Sequence, residues 1–529
     1  MTMHLDEDNL VPRPENLTLR SAGIPITTIK GLVITVVAAL IAIATYHMLN
    51  FDSESVKLGL SLLVFIAIMW LTEAVHITIT ALMVPFLAVL LKIPTVKAVK
   101  QEDGSAIYEI VTKLNPKTGN EDTVFITFKS ALTSFADPTI FTFFGGFAIA
   151  AALHMQRLDR KIAGFMVSLA GGDMMIATFL IFLVTAGLSM WISNTATAAM
   201  MLPLAIGMLD TMDREKERRT FVFVLLGIAY CASIGGLGTI VGSPPNNIAA
   251  RDLGYAFKDW MRVGLPVMCL LLPITIATLW LILRPNFNFR RDTSKTETEA
   301  HSDYSLKEDI PWTYHRVVTV VIFATTAFLW MFSSQINGGF ELGGHKFAGL
   351  KIDAIDSVIA LMAAIAVVLF GACSWKEVAQ NTDWGVLLMF GGGLALSAVL
   401  SQSGASDALG RAVAKALNGS SPIVIIFAVA TFIIFLTEFT SNTASAALLV
   451  PVFGAIAVNM GMPKETVVLV IGIGASCAFM MPVATPPNAI VFGTGLIKQR
   501  EMMTVGLALN IVSILIVATF ICLTQLGKQ

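Results

Sequence analysis

Long apolar runs separated by short polar segments dominate this chain. A helix needs about 20 residues to cross a membrane, and eleven runs approach or exceed that length. They cover residues 29–49, 57–73, 76–93, 174–210, 220–245, 263–284, 317–336, 354–371, 422–460, 466–492 and 502–525. The pattern predicts an all-α polytopic membrane protein with about 11 transmembrane helices.

Four apolar stretches depart from the simple pattern. Residues 174–210 and 422–460 are too long for one continuous helix, so each is expected to be broken or strongly tilted. Residues 139–156 and 383–402 carry glycines near their middle, which predicts two re-entrant hairpins that turn at those glycines. The alternative for each is an ordinary span, because glycine is common in membrane helices.

Composition supports a membrane location. The 529 residues are 55% hydrophobic and only 13% charged, whereas soluble domains carry roughly 25% charged residues. So little charge could not cover the surface of a soluble protein of this size. The formal net charge of -1 gives no reason to expect a nucleic-acid partner.

Basic residues predict the sidedness of the loops. The first cluster comprises Arg214, Lys216, Arg218 and Arg219, and the second comprises Arg284, Arg290, Arg291, Lys295, Lys307 and Arg316. Two spans separate the clusters, so the positive-inside rule places both in the cytoplasm. Counting spans from there predicts a cytoplasmic N-terminus and an external C-terminus.

Comparing the chain with itself reveals a duplication. Ser-Asn-Thr at 193–195 recurs at 441–443, an offset of 248 residues (441 − 193). Two more landmarks recur in the same order: VGSPPNNIAA at 241–250 matches VATPPNAIVF at 483–492, and Phe-Gly-Gly at 144–146 matches 390–392. Each copy holds five spans, and an odd number turns the second copy upside down. Inverted repeats with broken helices are typical of secondary transporters.

The duplication predicts the organisation of the chain. We expect a polar N-terminal tail at 1–28, an additional first span at 29–50, a first inverted repeat at 51–285 with a polar insert at 97–130, a polar linker at 286–316, and a second inverted repeat at 317–529. The insert is expected to be a peripheral hairpin or loop, and the sequence assigns it no role.

The repeated motifs predict chemistry inside the membrane. A break at Ser-Asn-Thr frees backbone N–H and C=O groups that lipid cannot satisfy. The proline pairs at 244–245 and 486–487 end a helix and predict a second break in each copy. Helix N-termini can then face an anion, and freed carbonyls and hydroxyls can face a cation. The alternative is that the hydroxyls bond to their own helix and that the prolines only kink it.

The motif segments carry no charged side chain or histidine. This holds for residues 185–203, 231–250, 439–463 and 466–497. An anion brought there would keep a large desolvation penalty unless cations accompany it, and the hard oxygen ligands suit Na⁺. Two Na⁺ would cancel a dianion's charge, and a third would let the membrane potential assist uptake; the sequence does not choose between these numbers.

Two intramembrane carboxylates stand near the motifs. Glu438 borders the second Ser-Asn-Thr motif, and Glu73 lies in WLTEAV. Each is interpreted either as a helix-end residue hydrogen-bonded within the bundle or as a charge that holds the cation site in shape.

The doubled Ser-Asn-Thr motif, paired with Ser/Thr-Pro-Pro, resembles the divalent-anion/sodium symporter family, including INDY-type bacterial sodium-coupled dicarboxylate transporters. The likeness covers about residues 30 to 525. It implies an elevator-type carrier, usually a homodimer, in the bacterial inner membrane, that imports C4-dicarboxylates such as succinate, malate and fumarate with Na⁺. Some members instead transport tricarboxylates or sulfate, or exchange anions without Na⁺, and these alternatives stay open.

The resemblance also implies site residues, carried over by motif. The first sodium site would use Ser189, Ser193, Asn194 and the Gly242 carbonyl. The second would use Thr437, Thr440, Asn442 and the Ala484 carbonyl, with Thr440 contributing its backbone carbonyl. The substrate would meet Ser193, Asn194, Thr195, Ser243 and Pro244 from the first copy, and Ser441, Asn442, Thr443, Thr485 and Pro486 from the second.

Two other function classes fit less well. An intramembrane hydrolase needs a nucleophile paired with a base, but all seven histidines lie at span ends or in polar loops, away from the serine motifs. We therefore expect no enzyme. A passive anion channel would share the cavity but would show no sodium-dependent accumulation.

Overall fold

Helices make up most of the chain in the computed structural model, which describes residues 26–100, 106–114, 121–171, 173–209, 212, 216–287, 311–342, 345–416 and 420–526. The N-terminal tail and most of the linker at 286–316 lie outside these ranges, together with parts of the insert. Several basic residues used to predict sidedness also lie outside them, namely Arg214, Arg290, Arg291, Lys295 and Lys307.

The additional first helix precedes a first copy of ten helices. These are α1 (Ile26–Met48), then α2 (Glu54–Thr72), α3 (Ile77–Leu90), α4 (Phe128–Thr133), α5 (Pro138–Met155), α6 (Leu158–Ser168), α7 (Met174–Ser189), α8 (Asn194–Leu209), α9 (Arg218–Gly235), α10 (Pro244–Leu253) and α11 (Phe257–Leu283).

The second copy has the same order of helices, with one additional short helix, α13, between its first and second counterparts. Its helices are α12 (Tyr314–Met331), α13 (Ser333–Gly338), α14 (Ile355–Leu369), α15 (Trp375–Asn381), α16 (Trp384–Gln402), α17 (Ala405–Ala416), α18 (Pro422–Leu436), α19 (Asn442–Asn459), α20 (Lys464–Gly474), α21 (Pro486–Phe492) and α22 (Gln499–Gln525).

The membrane prediction is confirmed. Within the described residues, nine helical segments are long and apolar enough to cross a membrane, and five shorter apolar helices accompany them. Each of the eleven predicted runs contains helix. Both overlong runs are broken as predicted, between α7 and α8 at residues 190–193 and between α18 and α19 at residues 437–441.

The predicted hairpin turns at the glycines are wrong. Gly145 lies inside the continuous helix α5, and Gly392 lies inside α16. The turns fall earlier, where the carboxylates of Asp137 and Asp383 cap α5 and α16. The glycines instead permit close packing, because a Cβ on Gly145 would overlap Ala360 of α14. Small residues at such crossings let membrane helices approach closely.

Helices of each copy pack against helices of the other copy in a reciprocal pattern. Helix α5 packs against α14, and its counterpart α16 packs against α3. In the same way α10 packs against α19 and α20, whereas α21 packs against α8 and α9. This reciprocity is what a two-fold relation between the copies produces. Helix α9 lies at the centre and is buried from Thr220 to its end.

Two ion pairs at helix ends join the two copies. Lys464, at the start of α20, lies 2.9 Å from the carboxylate of Asp252 in α10. Arg218, at the start of α9, lies 2.9 Å from the carboxylate of Glu501 in α22 and donates to the Leu496 carbonyl. Each basic residue thus connects the start of a central helix to the opposite copy.

The described part of the polar insert forms two antiparallel hairpins, β1 (Val96–Lys100) with β2 (Ala106–Ile110), and β3 (Thr112–Leu114) with β4 (Glu121–Thr123). A further pair, β5 (Phe340–Leu342) and β6 (His345–Phe347), precedes α14. Tyr108 of β2 donates to Asp407 of α17 at 2.8 Å, which ties the insert to the second copy. Partial burial, followed by this hydrogen bond, raises the pKa of Tyr108 above its ordinary value, so the phenol stays a donor.

Candidate cation and anion site

Oxygen atoms converge at the break between α7 and α8. The fully buried Ser189 donates its hydroxyl proton to the Ala232 carbonyl at 2.7 Å. The Asn194 amide nitrogen then donates to Ser189 Oγ at 2.6 Å and faces the carbonyl oxygens of Ala232 and Gly242, each at 3.2 Å. A hydroxyl and two carbonyls therefore surround one amide, in a part of the chain without charged side chains.

This cluster has the chemistry of a site for a hard monovalent cation. Carbonyl and hydroxyl oxygens at unwound helix segments are the ligands that coordinate Na⁺ in transporters. The Asn194 amide would need only to rotate to present its oxygen in place of its nitrogen. Gly236 keeps the cluster compact, because a Cβ there would overlap both the Asn194 amide and the Gly242 carbonyl.

The second break repeats the arrangement. Thr437 ends α18 and is fully buried, and its hydroxyl contacts the Asn442 amide oxygen and lies 3.0 Å from the Ala475 carbonyl. Thr437 follows Ser189 by the same 248 residues (437 − 189) that separate the two asparagines. Both copies therefore place a hydroxyl, an amide and a carbonyl together.

A second asparagine in each copy braces the segment before the proline pair. Asn246 is fully buried, and its amide nitrogen donates to the carbonyls of Gly236 and Thr239, each at 2.7 Å. The equivalent bonds in the second copy run from Asn488 to the carbonyls of Ala478 and Met481, at 3.2 and 3.1 Å. These bonds satisfy carbonyls that the break frees from the helix.

Three further predicted sodium ligands make other hydrogen bonds. The Ser193 hydroxyl accepts from Ala196 N at 3.2 Å and so caps α8. The Thr440 hydroxyl lies 2.7 Å from Ser445 Oγ. Ala484 is buried, and its amide donates to Met481 O at 3.2 Å.

The predicted substrate residues come from both copies. Ser243, just before α10, lies 3.1 Å from Ser476, which follows α20, so their hydroxyls connect the copies. Pro244 and Pro486 are the first residues of α10 and α21. Because α10 packs on α19 and α21 packs on α8, each proline-led helix lies against the Ser-Asn-Thr helix of the other copy.

The remaining predicted substrate residues lie at helix starts. Thr195 is exposed in the first turn of α8, and Thr443 is partly exposed in the first turn of α19. Ser441 and Thr485 cap their helices by accepting from Ala444 N and Asn488 N. The N-termini of α8 and α19 thus present backbone donors, which favour an anion.

Sequence reasoning missed two kinds of group. The carbonyls of Ala232 and Ala475 leave no signal in the sequence, because every residue has a carbonyl. Asn246 and Asn488 are visible in the sequence, because an asparagine follows the proline pair in both repeats.

Glu438 is the charged group nearest the second break. Its side chain is 1% exposed. The carboxylate accepts from the backbone amides of Phe479, Met480 and Met481, at 2.7–3.1 Å. It also accepts from the side-chain amide of Asn510 in α22 at 2.7 Å. The carboxylate therefore holds the peptide segment 479–481, which fits both interpretations, a residue hydrogen-bonded within the bundle and a charge that holds the cation site in shape.

Comparison with known proteins identifies the family. The profile of the CitMHS citrate transporter family matches residues 67–474. An uncharacterized transporter of Haemophilus influenzae is 48% identical over 492 residues, covering 93% of this chain and 96% of that protein. The sodium-dependent dicarboxylate transporter SdcS of Staphylococcus saprophyticus is 31% identical over 483 residues, covering 87% and 84%.

A solved structure supports the fold. MtrF of Neisseria gonorrhoeae, whose structure illuminates a class of antimetabolite efflux pumps, superposes with a TM-score of 0.53. The match covers 85% of this chain and 95% of that one at 14% identity, so the likeness concerns the fold alone. Together with the broken helices and their oxygen clusters, the family match confirms the resemblance to divalent-anion/sodium symporters. The chain is an integral membrane transporter and belongs to the CitMHS citrate transporter family.

Proposed function

We propose that this protein is a secondary active symporter that imports C4-dicarboxylates, such as succinate, malate and fumarate, together with Na⁺. The observation that carries the proposal is the duplicated cluster of hydroxyl, amide and carbonyl groups in segments without charged side chains. A dianion in that environment needs co-bound cations to offset its desolvation.

The proposed sodium ligands form one set at each of the two helix breaks. The first site comprises Ser189, Ser193, Asn194 and Gly242, and the second comprises Thr437, Thr440, Asn442 and Ala484. To these we add the carbonyls of Ala232 and Ala475, because the hydroxyls of Ser189 and Thr437 contact them. Substrate carboxylates meet the proposed residues between the copies, namely Ser193, Asn194, Thr195, Ser243, Pro244, Ser441, Asn442, Thr443, Thr485 and Pro486.

Two arguments support sodium coupling. The SdcS relatives are described as sodium-dependent dicarboxylate transporters, and the chain shares 31% identity with them over most of its length. Importing a dianion against an inside-negative potential also costs about 2.3 kcal/mol per charge for each 100 mV. Two Na⁺ remove that cost, and a third makes uptake electrogenic.

We further propose the architecture in which the transporter works. Residues 51–285 and 317–529 form the inverted repeats, the N-terminus is cytoplasmic and the C-terminus is external. The carrier functions as a homodimer in a bacterial inner membrane and moves the site across by an elevator motion. The reciprocal packing of the two copies supports the inverted arrangement, which lets one site open alternately to either side.

Uptake into proteoliposomes tests this proposal. Radiolabelled succinate is supplied with an inward Na⁺ gradient or with choline in its place, and accumulation is expected only with Na⁺. Uptake that needs no Na⁺ but requires succinate inside the vesicles would point to an exchanger. The family match to citrate transporters makes citrate the first alternative substrate, and sulfate the second.

A further inference from the structure

The two copies differ in polarity beside otherwise equivalent breaks. Glu438 directly follows Thr437, and the position 248 residues earlier (438 − 248) holds Met190. Asn510 contacts Glu438 from α22, whereas the equivalent position of α11 holds Met268. Met190 and Met268 both border Gly238, since a Cβ on that glycine would contact each of them. A polar pair in the second copy thus replaces an apolar pair in the first.

The Glu438 carboxylate is buried without a basic partner among the described residues. All of its contacts come from N–H donors, which is how an ionised carboxylate is satisfied. Hydrogen bonds alone leave a net negative charge in a low-dielectric region, and intramembrane carboxylates are retained mainly where they serve function. The missing positive charge is therefore most simply supplied by a bound cation.

The Glu438 carboxylate is linked to the second cation cluster through its chain neighbour and through the segment that it holds. Thr437, its neighbour in sequence, contacts Asn442 and Ala475. Glu438 also binds the Met481 amide, and the Met481 carbonyl accepts from the Ala484 amide. Glu438 can thus act on the cluster by its charge and by fixing the segment that leads to the Ala484 carbonyl.

The segment 479–481 is also held by hydrogen bonds from α9 and from Asn488. Tyr230 of α9 is fully buried and donates to the Phe479 carbonyl at 2.7 Å, while Glu438 accepts from the Phe479 amide. The Asn488 side-chain amide donates to the carbonyl of Ala478, just before the segment, and to that of Met481, its last residue. The segment therefore has little freedom to collapse when no cation is bound, which keeps the second site pre-formed.

We infer that Glu438, oriented by Asn510, makes the second cation site the stronger of the two and the first to fill. Glu438 acts as a positioning and charge-supplying residue and does not itself touch the transported anion. The first site, which has methionines at the equivalent positions, fills with lower affinity. This inference rests on the proposed function, since it assumes that both sites bind Na⁺.

The test compares Na⁺ affinity in the wild type and in E438Q, which keeps the size of the side chain but removes its charge. Two readouts are used: the Na⁺ concentration that gives half-maximal succinate uptake, and the rise in Tm caused by Na⁺ without substrate. We expect E438Q to raise the half-saturating Na⁺ concentration about tenfold or more. The maximal rate at saturating Na⁺ should change much less than this affinity.

Two further variants separate charge from structure. M190L alters the equivalent position of the first copy and should leave the half-saturating Na⁺ concentration within about twofold of the wild type. The double variant E438Q/N510D moves the negative charge to the partner side chain, 2.7 Å away, and should recover most of the lost Na⁺ affinity. A merely structural role for Glu438 predicts no such recovery.

The outcomes distinguish this inference from the proposed function. Sodium-dependent uptake in the wild type with an unchanged Na⁺ affinity in E438Q would overturn the role of Glu438 alone. Failure of E438Q/N510D to recover affinity would also overturn it. Sodium-independent uptake in the wild type, with no effect of Na⁺ on Tm, would overturn the proposed function and the Glu438 inference with it. If E438Q does not fold, N510L, which removes only one hydrogen bond, should show a smaller loss of Na⁺ affinity, and no loss would contradict the inference.

Discussion

The side-chain amide of Asn194 lies 2.6 Å from Ser189 Oγ across the break between α7 and α8. The same pairing of a hydroxyl with an amide recurs in the second copy between Thr437 and Asn442. Each pair joins the end of the helix before a break to the first residue of the next helix, so a cation bound there would hold two helix ends together. In the proposed function, cation binding would thereby be coupled to the shape of the site.

Asn194→Ala and Asn442→Ala should each weaken Na⁺ coupling. A hydrogen-bonded or coordinating contact to a charged partner contributes about 1.5–3 kcal/mol, so we expect the half-saturating Na⁺ concentration for succinate uptake to rise about tenfold or more. Asn459→Ala is the matched control, because among the described residues the Asn459 side chain donates only within its own helix, to the Ala455 carbonyl. Normal sodium dependence in both asparagine variants would refute the assignment of the two sites.

Asn246→Ala and Asn488→Ala should destabilise the protein in addition to impairing transport. Asn246→Ala removes the side-chain donor from the carbonyls of Gly236 and Thr239. Asn488→Ala removes it from those of Ala478 and Met481. Losing such buried hydrogen bonds costs roughly 2 kcal/mol or more. Thermal unfolding in detergent should therefore begin several degrees lower in each variant. An unchanged Tm in both variants would show that these asparagine hydrogen bonds do not stabilise the protein.

Gly392→Ala should loosen the contact between α16 and α3. The new Cβ would overlap the backbone and side chain of Ala81, and relieving such overpacking costs roughly 1–3 kcal/mol. Gly187→Ala in α7 is the matched control, because a Cβ there meets open space, and alanine is the better helix former. We expect a lower Tm for the first variant only; equal Tm values would contradict the packing role of the glycine.

Single cysteines near the ends of α5 and α16 should report the inverted topology. Met155→Cys and Ser401→Cys, each in a cysteine-free background, place a thiol at corresponding points of the two copies, 246 residues apart (401 − 155). A membrane-impermeant maleimide added to intact cells should modify only one of them, and the other should react after the membrane is opened. Equal modification of both thiols in intact cells would refute the inversion.

The sequence predicted the helix breaks better than the hairpin turns, for a physical reason. Ser-Asn-Thr inside an apolar run is unfavourable in a continuous membrane helix, so the break can be predicted from local chemistry. The role of Gly145 and Gly392 depends on Ala360 and Ala81, which lie far away in the chain and meet the glycines only through packing. No local pattern distinguishes a glycine that turns the chain from one that admits a neighbour.

The composition of the site was only partly predictable. Ser189, Asn194 and Gly242 were expected from the family resemblance, and the structure brings them together. The Ala232 and Ala475 carbonyls join the clusters only because α9 and α20 end beside the breaks. Such ligands come from backbone geometry, and only a structure reveals them.

Measuring the entry of sodium and of succinate in the same vesicles tests most directly whether cation and dianion occupy the site together. Proteoliposomes are loaded without Na⁺ and supplied with radiolabelled sodium and succinate carrying different isotopes. We expect that succinate stimulates sodium entry and that sodium stimulates succinate entry. At a Na⁺ concentration that only just saturates the wild type, both stimulations should be much weaker in Asn194→Ala and Asn442→Ala. Succinate entry that proceeds at the same rate with no accompanying sodium would contradict this expectation.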